Sequence, residues 1–426
     1  MKQIKEKNRS IVTILSFALI PLTGLATDVY LPSLPSMATD LHVSSGAIQN
    51  TLLVFLISAG LSQLFVGSLL DSFGRFRIGI AALLLFSIAS FVIANTHSLA
   101  VLIAMRAVHG ITVAVIVVGK RAYFLDTFDG EKLKNYTSLF SIVWATAPIV
   151  APFVGGYLQS GFGWHGSFYF LGFYTIAIMV LDLIFGGESL KTFSPFKPAA
   201  ILKTYGSFLR TKDYVMALLI MGLSYGLLLI YGMTSPFIIE HLYHFSAIIT
   251  GYSSLLSGVA LMAGGIISKS IIHKPLDKKI PVAMGTQVLV AAGMIVVSTY
   301  WLSNLYTLLA FVMLLNVVAG FIFNSLFSYA LGRFHGHGGI LSGLTGGSLF
   351  VVTSILSYGS VNVFSIKNQS ALSVAYLVFV LFGVISFMLF KRYRDRGTAK
   401  LAGHEQQNAV TRTTAAPAVA EARYTH

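Results

Sequence analysis

The sequence predicts an all-α integral membrane protein with twelve transmembrane helices in two six-helix bundles. Three observations carry that reading. Apolar residues make up 55% of the 426 and charged ones only 10%, with a mean hydropathy of +0.79. A soluble chain of ordinary composition carries about 25% charged residues. Runs of roughly 18–25 apolar residues, enough to cross a ~30 Å hydrocarbon core, recur along the chain. Lysine and arginine fall almost wholly into alternate connections between those runs.

Taken in order, the expected spans are 11–34, 47–70, 77–95, 99–122, 135–159 and 166–186, then 214–236, 246–268, 280–302, 304–331, 339–363 and 370–390. With the N-terminus inside, the inner segments hold 27 of the 29 basic residues. The exceptions are Lys367, in an outer loop, and Arg106, within a span. A miscounted span would destroy that alternation, so both termini are expected to be cytoplasmic. The opening MKQIKEKNRS resembles the start of a signal peptide, but the apolar run after it exceeds a ~7–15 residue signal core. It is read as a retained first span.

The longest inner connection, 187–213, contains Pro195, Pro198 and five basic residues, and divides the chain into bundles 11–186 and 214–390. Residues 1–10 form an inner tail, and 391–426, rich in Ala, Thr and Gln, are expected to be a disordered one. The formal net charge of +14 suits an anionic inner leaflet, so membrane lipids are the expected partner and nucleic acid is not. Cysteine is absent, which excludes disulfides and thiolate metal sites. No metal-spaced ligand set or phosphate-binding glycine loop appears, so no cofactor is expected. An intramembrane enzyme would need clustered His, Asp or Glu, which the spans lack.

Span one carries Thr27-Asp28-Val-Tyr30-Leu-Pro32-Ser-Leu-Pro35 at its far end. Asp28 lies roughly 26 Å along the helix at ~1.5 Å per residue. A carboxylate there is costly to ionise unless it faces a cavity or a partner. It is either a protonatable group in an aqueous cleft or an acid that reaches headgroup water. The prolines bend or end the helix.

The first inner loop reads Gly67-Ser-Leu-Leu-Asp71-Ser-Phe-Gly74-Arg75-Phe-Arg77. Asp71 stands at a helix C-terminus, where the dipole disfavours an anion. It needs either Arg75 or the N-terminus of another helix, with span eleven the candidate that would tie the halves together. Gly67 permits close approach and Gly74 a tight turn.

Span four places Arg106, His109 and Gly110 on one face, with Arg106 near the depth of Asp28. A buried arginine stays charged and biases a nearby carboxyl's proton affinity. A structural Arg–Asp pair is the plainer reading of Arg106; His109 is a candidate proton relay in the coupling, with a core hydrogen bond as its plainer reading. Span five holds two i+4 rows, Ala147, Ala151 and Gly155 beside Pro148, Pro152 and Gly156. The small row lets a neighbouring helix approach, and each proline removes a backbone hydrogen bond. Neutral candidates for a substrate surface are Tyr30 and Gln49 in the first half. In the second half they are Tyr225, Tyr231, Ser235, Gln287, Asn316 and Asn324.

These stretches resemble the major facilitator superfamily. The inner loop is similar to its signature G-x-L-x-D-x-x-G-R-[KR], with Phe76 in place of the second basic residue. The span-four stretch resembles R-x-x-[QH]-G. Span five is similar to the antiporter motif G-x-x-x-G-P-x-x-G-G, with Ala151 where glycine is commoner. The second half has no clear copy of the signature loop. With the span-one stretch and the Trp164-His165 pair, the chain resembles the Bcr/CflA (bicyclomycin-resistance) branch of drug/proton antiporters over most of residues 10–390.

That resemblance implies halves that rock about a midplane site, and export of small, largely apolar drugs by a monomer in the bacterial inner membrane. It implies proton coupling at Asp28. Neutral amphenicol-like or bicyclic-peptide antibiotics are family expectations. The competing readings are a proton symporter importing a nutrient or siderophore, and a non-transporting membrane receptor. The span-five motif disfavours the first. The second would call for a signalling domain, for which no stretch is a candidate.

Overall fold

The computed structural model describes residues 3–190, 192–196, 198–334 and 338–421. They are helical throughout, apart from turns and one isolated bridge between Gln3 and Glu188. The spans are α1 (Glu6–Asp40), α2 (Ser45–Phe73), α3 (Arg75–Ala94), α4 (Leu99–Thr127), α5 (130–162) and α6 (164–185). After a linker helix, Pro198–Leu209, come α7 (Lys212–Leu242), α8 (Ala247–Ser270), α9 (Leu276–Trp301), α10 (Leu305–Gly332), α11 (Gly338–Phe364) and α12 (Gln369–Glu421).

Four boundaries differ from the sequence expectation, each for a local reason. Pro32 and Pro35 do not end α1. They occupy first-turn positions of two short successive helices, Leu31–Ser33 and Leu34–Asp40, where a missing N–H costs nothing. α5 and α6 form one run broken at Gly163, whose φ of +66° suits glycine. α7 continues beyond the expected end at 236 through a π-turn, Ile238–Leu242, and so takes in Glu240, which the sequence reading left outside the span. α12 runs on to Glu421 where a disordered tail was expected; residues 422–426 lie outside the described ones.

The helices cross-pack in two matching sets. Within the halves, α2 lies on α4 and α8 on α10. Between them, α2 meets α11 and α5 meets α8. At the first of these seams Gly60 and Gly347 face each other. A β-carbon on either would come within 2.6 Å of the other's carbonyl oxygen. The helix ends carrying Arg75, Lys120 and Arg333 make up the basic end, expected from the sequence to be cytoplasmic.

Candidate functional site

The two rows of α5 face different neighbours. Ala147 and Gly155 lie on α1: a β-carbon on Gly24 would meet the Ala147 side chain at 2.5 Å, and one on Gly155 the Val29 carbonyl oxygen at 1.8 Å. Pro148, Pro152 and Gly156 lie on α8. A β-carbon on Gly156 would sit 2.7 Å from Ala247 O, and one on Gly251 2.7 Å from Pro152 O. Ala151, in the first row, is fully buried. The motif therefore serves the first half with one edge and the contact between halves with the other.

Where α1, α5, α7 and α8 converge there is a cleft with an empty volume of about 360 Å³, lined by Asp28, Pro148, Pro152, Tyr225, Tyr231 and Ser254 among others. As it stands it is narrow, admitting a water molecule or two. A drug-sized ligand requires the halves to part. The Asp28 carboxylate opens onto this cleft and makes no hydrogen bond or ion pair with the described residues, although the charge of Arg106 acts on it.

Arg106 is fully buried and turned away from a direct pair with Asp28. Its Nη1 donates to Ala26 O at 3.1 Å, its Nη2 to Tyr30 Oη at 3.4 Å, and its plane lies 4.6 Å from the Tyr30 ring centre and 4.2 Å from that of Phe55. One bond to a backbone carbonyl, one to a phenol hydroxyl and two aromatic faces thus hold the cation one layer behind the cleft. His109 sits 3.5 Å from Arg106 through Nδ1. Its Nε2 lies 2.9 Å from Ser90 Oγ and 3.1 Å from Phe86 O, and the ring stacks on Phe86. All of its polar contacts are within the first half, and none reaches the cleft.

The neutral candidates divide. Tyr225 and Tyr231 line the cleft, whereas Tyr30 is enclosed under Arg106 and within 3.1 Å of Thr51 Oγ1. Gln49 donates to Met233 O at 2.8 Å and ties α2 to α7 away from the cleft. Asn316 stands one layer back, donating to Ser257 Oγ at 2.9 Å, and Ser257 lines the cleft. Gln287 and Asn324 donate to the backbone oxygens of Leu315 and Gly265. Ser254 and Ser257 were passed over in the sequence because serine in an apolar helix carries no distinguishing pattern.

At the basic end the signature loop is bound within its own half. Arg75 pairs with Asp71 at 2.8 Å and with Asp126 at the end of α4. Asp71 therefore finds its cation in Arg75, the first of the two partners expected. Glu188, just past α6, accepts from the amides of Arg75 and Phe76, both at 3.1 Å, placing a carboxylate on the positive end of α3. Gly74, at φ +93°, leaves the room this requires, since a β-carbon there would lie 2.7 Å from Glu188 Oε2. Arg77 is exposed, and a β-carbon on Gly67 would meet no atom within 4 Å. Lys120 pairs with Asp182. The second half has its own ties: Asp213 accepts from Tyr329 Oη at 2.6 Å and Arg333 Nε at 2.8 Å, and Asp277 pairs with Arg394. Hydrogen-bonded to Asp213, the Arg333 guanidinium holds its proton more tightly than a free arginine.

A family model described as Major Facilitator Superfamily matches residues 17–357. The chain belongs to the Major Facilitator Superfamily. Within that superfamily it is 27% identical over 400 residues to the uncharacterized MFS-type transporter YdgK of Bacillus subtilis (strain 168), covering 92% of this chain and 97% of that one. It is 27% identical over 376 residues to multidrug resistance protein MdtL of Vibrio parahaemolyticus, covering 88% and 93%. Over a shorter stretch of 185 residues it is 33% identical to a bicyclomycin resistance protein homolog of Haemophilus influenzae, covering 43% and 46%. These relatives agree with the Bcr/CflA resemblance of the sequence.

Among solved structures, a bacterial homolog of the human lysosomal transporter Spinster superposes with a TM-score of 0.70 at 14% identity, covering 91% of this chain and 97% of that one. At that identity the match speaks for the fold alone. The protein is a multi-pass membrane transporter, not an enzyme.

Proposed function

We propose that this major facilitator protein exports small, largely apolar drugs across a bacterial inner membrane in exchange for protons, with Asp28 as the coupling group. The observation that carries the reading is the Asp28 carboxylate, at the meeting of the two halves and without an ion pair. An acid neutralised by a fixed salt bridge could not readily alternate between protonated and ionised forms, and this one is free to do so. The names carried by its relatives, multidrug resistance protein MdtL and bicyclomycin resistance protein homolog, favour export over uptake.

With the cleft open to the outside, Asp28 takes a proton and the drug leaves. Neutralised, it lets the apolar walls close and reopen inward. There the proton is lost and the next drug enters. Arg106, immobilised by Ala26, Tyr30 and Phe55, keeps its charge throughout and biases the return of Asp28 to the ionised state. The basic end faces the cytoplasm in this scheme, both termini are inside, and the monomer suffices. A pH unit supplies about 1.36 kcal/mol per proton and ~100 mV about 2.3 kcal/mol per charge. One proton per neutral drug would thus sustain a gradient of several hundredfold.

The test uses the full chain in proteoliposomes with an acidic lumen and chloramphenicol as the probe. Wild type should accumulate the probe. Asp28→Asn should lose accumulation yet retain drug-for-drug exchange, which moves no net proton. Undiminished proton-driven accumulation by Asp28→Asn would remove Asp28 from the coupling role.

A further inference from the structure

The second-half wall of the cleft carries buried polar atoms without a full hydrogen bond to any of the described residues. Twelve buried side-chain polar atoms among the described residues lack a hydrogen-bond partner, and four of them, Tyr231 Oη, Ser235 Oγ, Ser254 Oγ and Asn316 Oδ1, belong to this wall and its backing. Tyr231 and Ser254 line the cleft directly. The Tyr231 hydroxyl lies close enough to the Ser235 and Ser253 side chains to interact with both, though neither contact has the geometry of a full hydrogen bond. Ser257, also on the wall, accepts from Asn316 at 2.9 Å, and its own proton has no acceptor among the described residues. All four residues are at least nine-tenths buried.

Hydroxyls in helices ordinarily bond to the preceding turn, and their neighbours here do. Ser224 donates to Ile220 O, Thr234 to Ile230 O and Ser253 to Thr250 O. Ser235 and Ser254 decline the same option. Buried polar groups left unpaired in a native structure call for an explanation. One that gathers on one wall of a ligand cleft, opposite Pro148, Pro152 and Leu31, points to a ligand with one polar edge and one apolar face.

We propose that Tyr231, Ser254 and Ser257, backed by Ser235 and Asn316, form a hydrogen-bonding subsite for the uncharged hydroxyl or amide edge of the transported molecule. The inference rests on the drug-transport reading and narrows its substrate class to neutral molecules carrying such groups. The wall offers both donors and acceptors and no charge, so a lipophilic cation without hydrogen-bonding groups leaves it unsatisfied. A site built to hydrogen-bond a ligand discriminates against analogues that lack the group.

The experiment measures equilibrium binding to the purified full-length protein at fixed pH, with no gradient. Its outcome is therefore independent of whether Asp28 couples protons. The probes are chloramphenicol, neutral with hydroxyls and an amide, and tetraphenylphosphonium, a cation with neither. Ser254→Ala and Tyr231→Phe should each weaken chloramphenicol binding about tenfold, the loss of one buried hydrogen bond. Both should leave tetraphenylphosphonium binding within twofold, and Ser254→Thr, which keeps a hydroxyl, should retain most of the chloramphenicol affinity. The proposal fails if wild type does not bind chloramphenicol, if both probes weaken together, or if neither changes because water alone occupies the wall. A thermal unfolding midpoint matching wild type separates these outcomes from misfolding.

Discussion

A β-carbon on Gly155 would sit 1.8 Å from the carbonyl oxygen of Val29, the residue after Asp28. The helix bearing the acid and the proline-marked helix are thus in backbone contact at the cleft. One residue along, Gly156 makes the corresponding approach to α8 in the other half.

These two glycines should separate under substitution. Gly155→Ala forces α1 from α5 inside one half and is expected to cost about 1–3 kcal/mol, the usual price of overpacking. Gly156→Ala acts at the contact between halves. It should slow probe exchange at least as much as it lowers the unfolding midpoint in detergent. Gly265→Ala, with no atom within 4 Å of its β-carbon, is the matched control and should change neither. Identical stability of Gly155→Ala and Gly265→Ala would contradict the packing.

Arg106→Lys should not be conservative. A lysine cannot reproduce the fork that reaches both Ala26 O and Tyr30 Oη, nor the planar contact with Tyr30 and Phe55. A stability loss of about 1–3 kcal/mol is expected, from the charged hydrogen bonds given up. Thermal unfolding of the purified variant measures it, and an unchanged midpoint would mean that the arginine is not anchored this way.

Much of the fold was legible in the sequence because hydrocarbon thickness and basic-residue sidedness are strong, periodic constraints. They act on whole segments, which is why the spans emerged while the breaks within α1 and the π-turn that draws Glu240 into α7 did not. The site was legible in part. Asp28, Arg106 and the α5 rows stand out because charge, proline and paired glycine are rare in apolar helices. The relationship between Asp28 and Arg106 was less accessible. Similar depth suggests a pair, but only coordinates reveal a guanidinium occupied by Ala26 O and two rings. Asp126 and Glu188 were missed because an acid at a helix end looks like any solvated loop residue until its partners are known.

Removing the charge of Glu188 should loosen the start of α3. Glu188→Gln keeps an acceptor but loses the anion at the helix N-terminus, a change of about 1 kcal/mol. Hydrogen exchange followed by mass spectrometry should then speed up at peptides containing Arg75 and Phe76, whose amides Glu188 now holds. Unaltered protection there would show that the cap contributes little.

Glu188, Asp126 and Asp71 meet around a single arginine or its amide, and between them they lash together the ends of α2, α3, α4 and α6. A clamp of that kind stiffens its own bundle and cannot itself act as a latch against the opposite one. What parts during a transport cycle belongs instead to the contacts between halves: the α2–α11 and α5–α8 seams and the Gln49–Met233 tie from α2 to α7. At the two seams glycine backbone meets the opposite helix directly, beside the Tyr157–Tyr252 hydroxyl contact, and among the described residues no ion pair has to break.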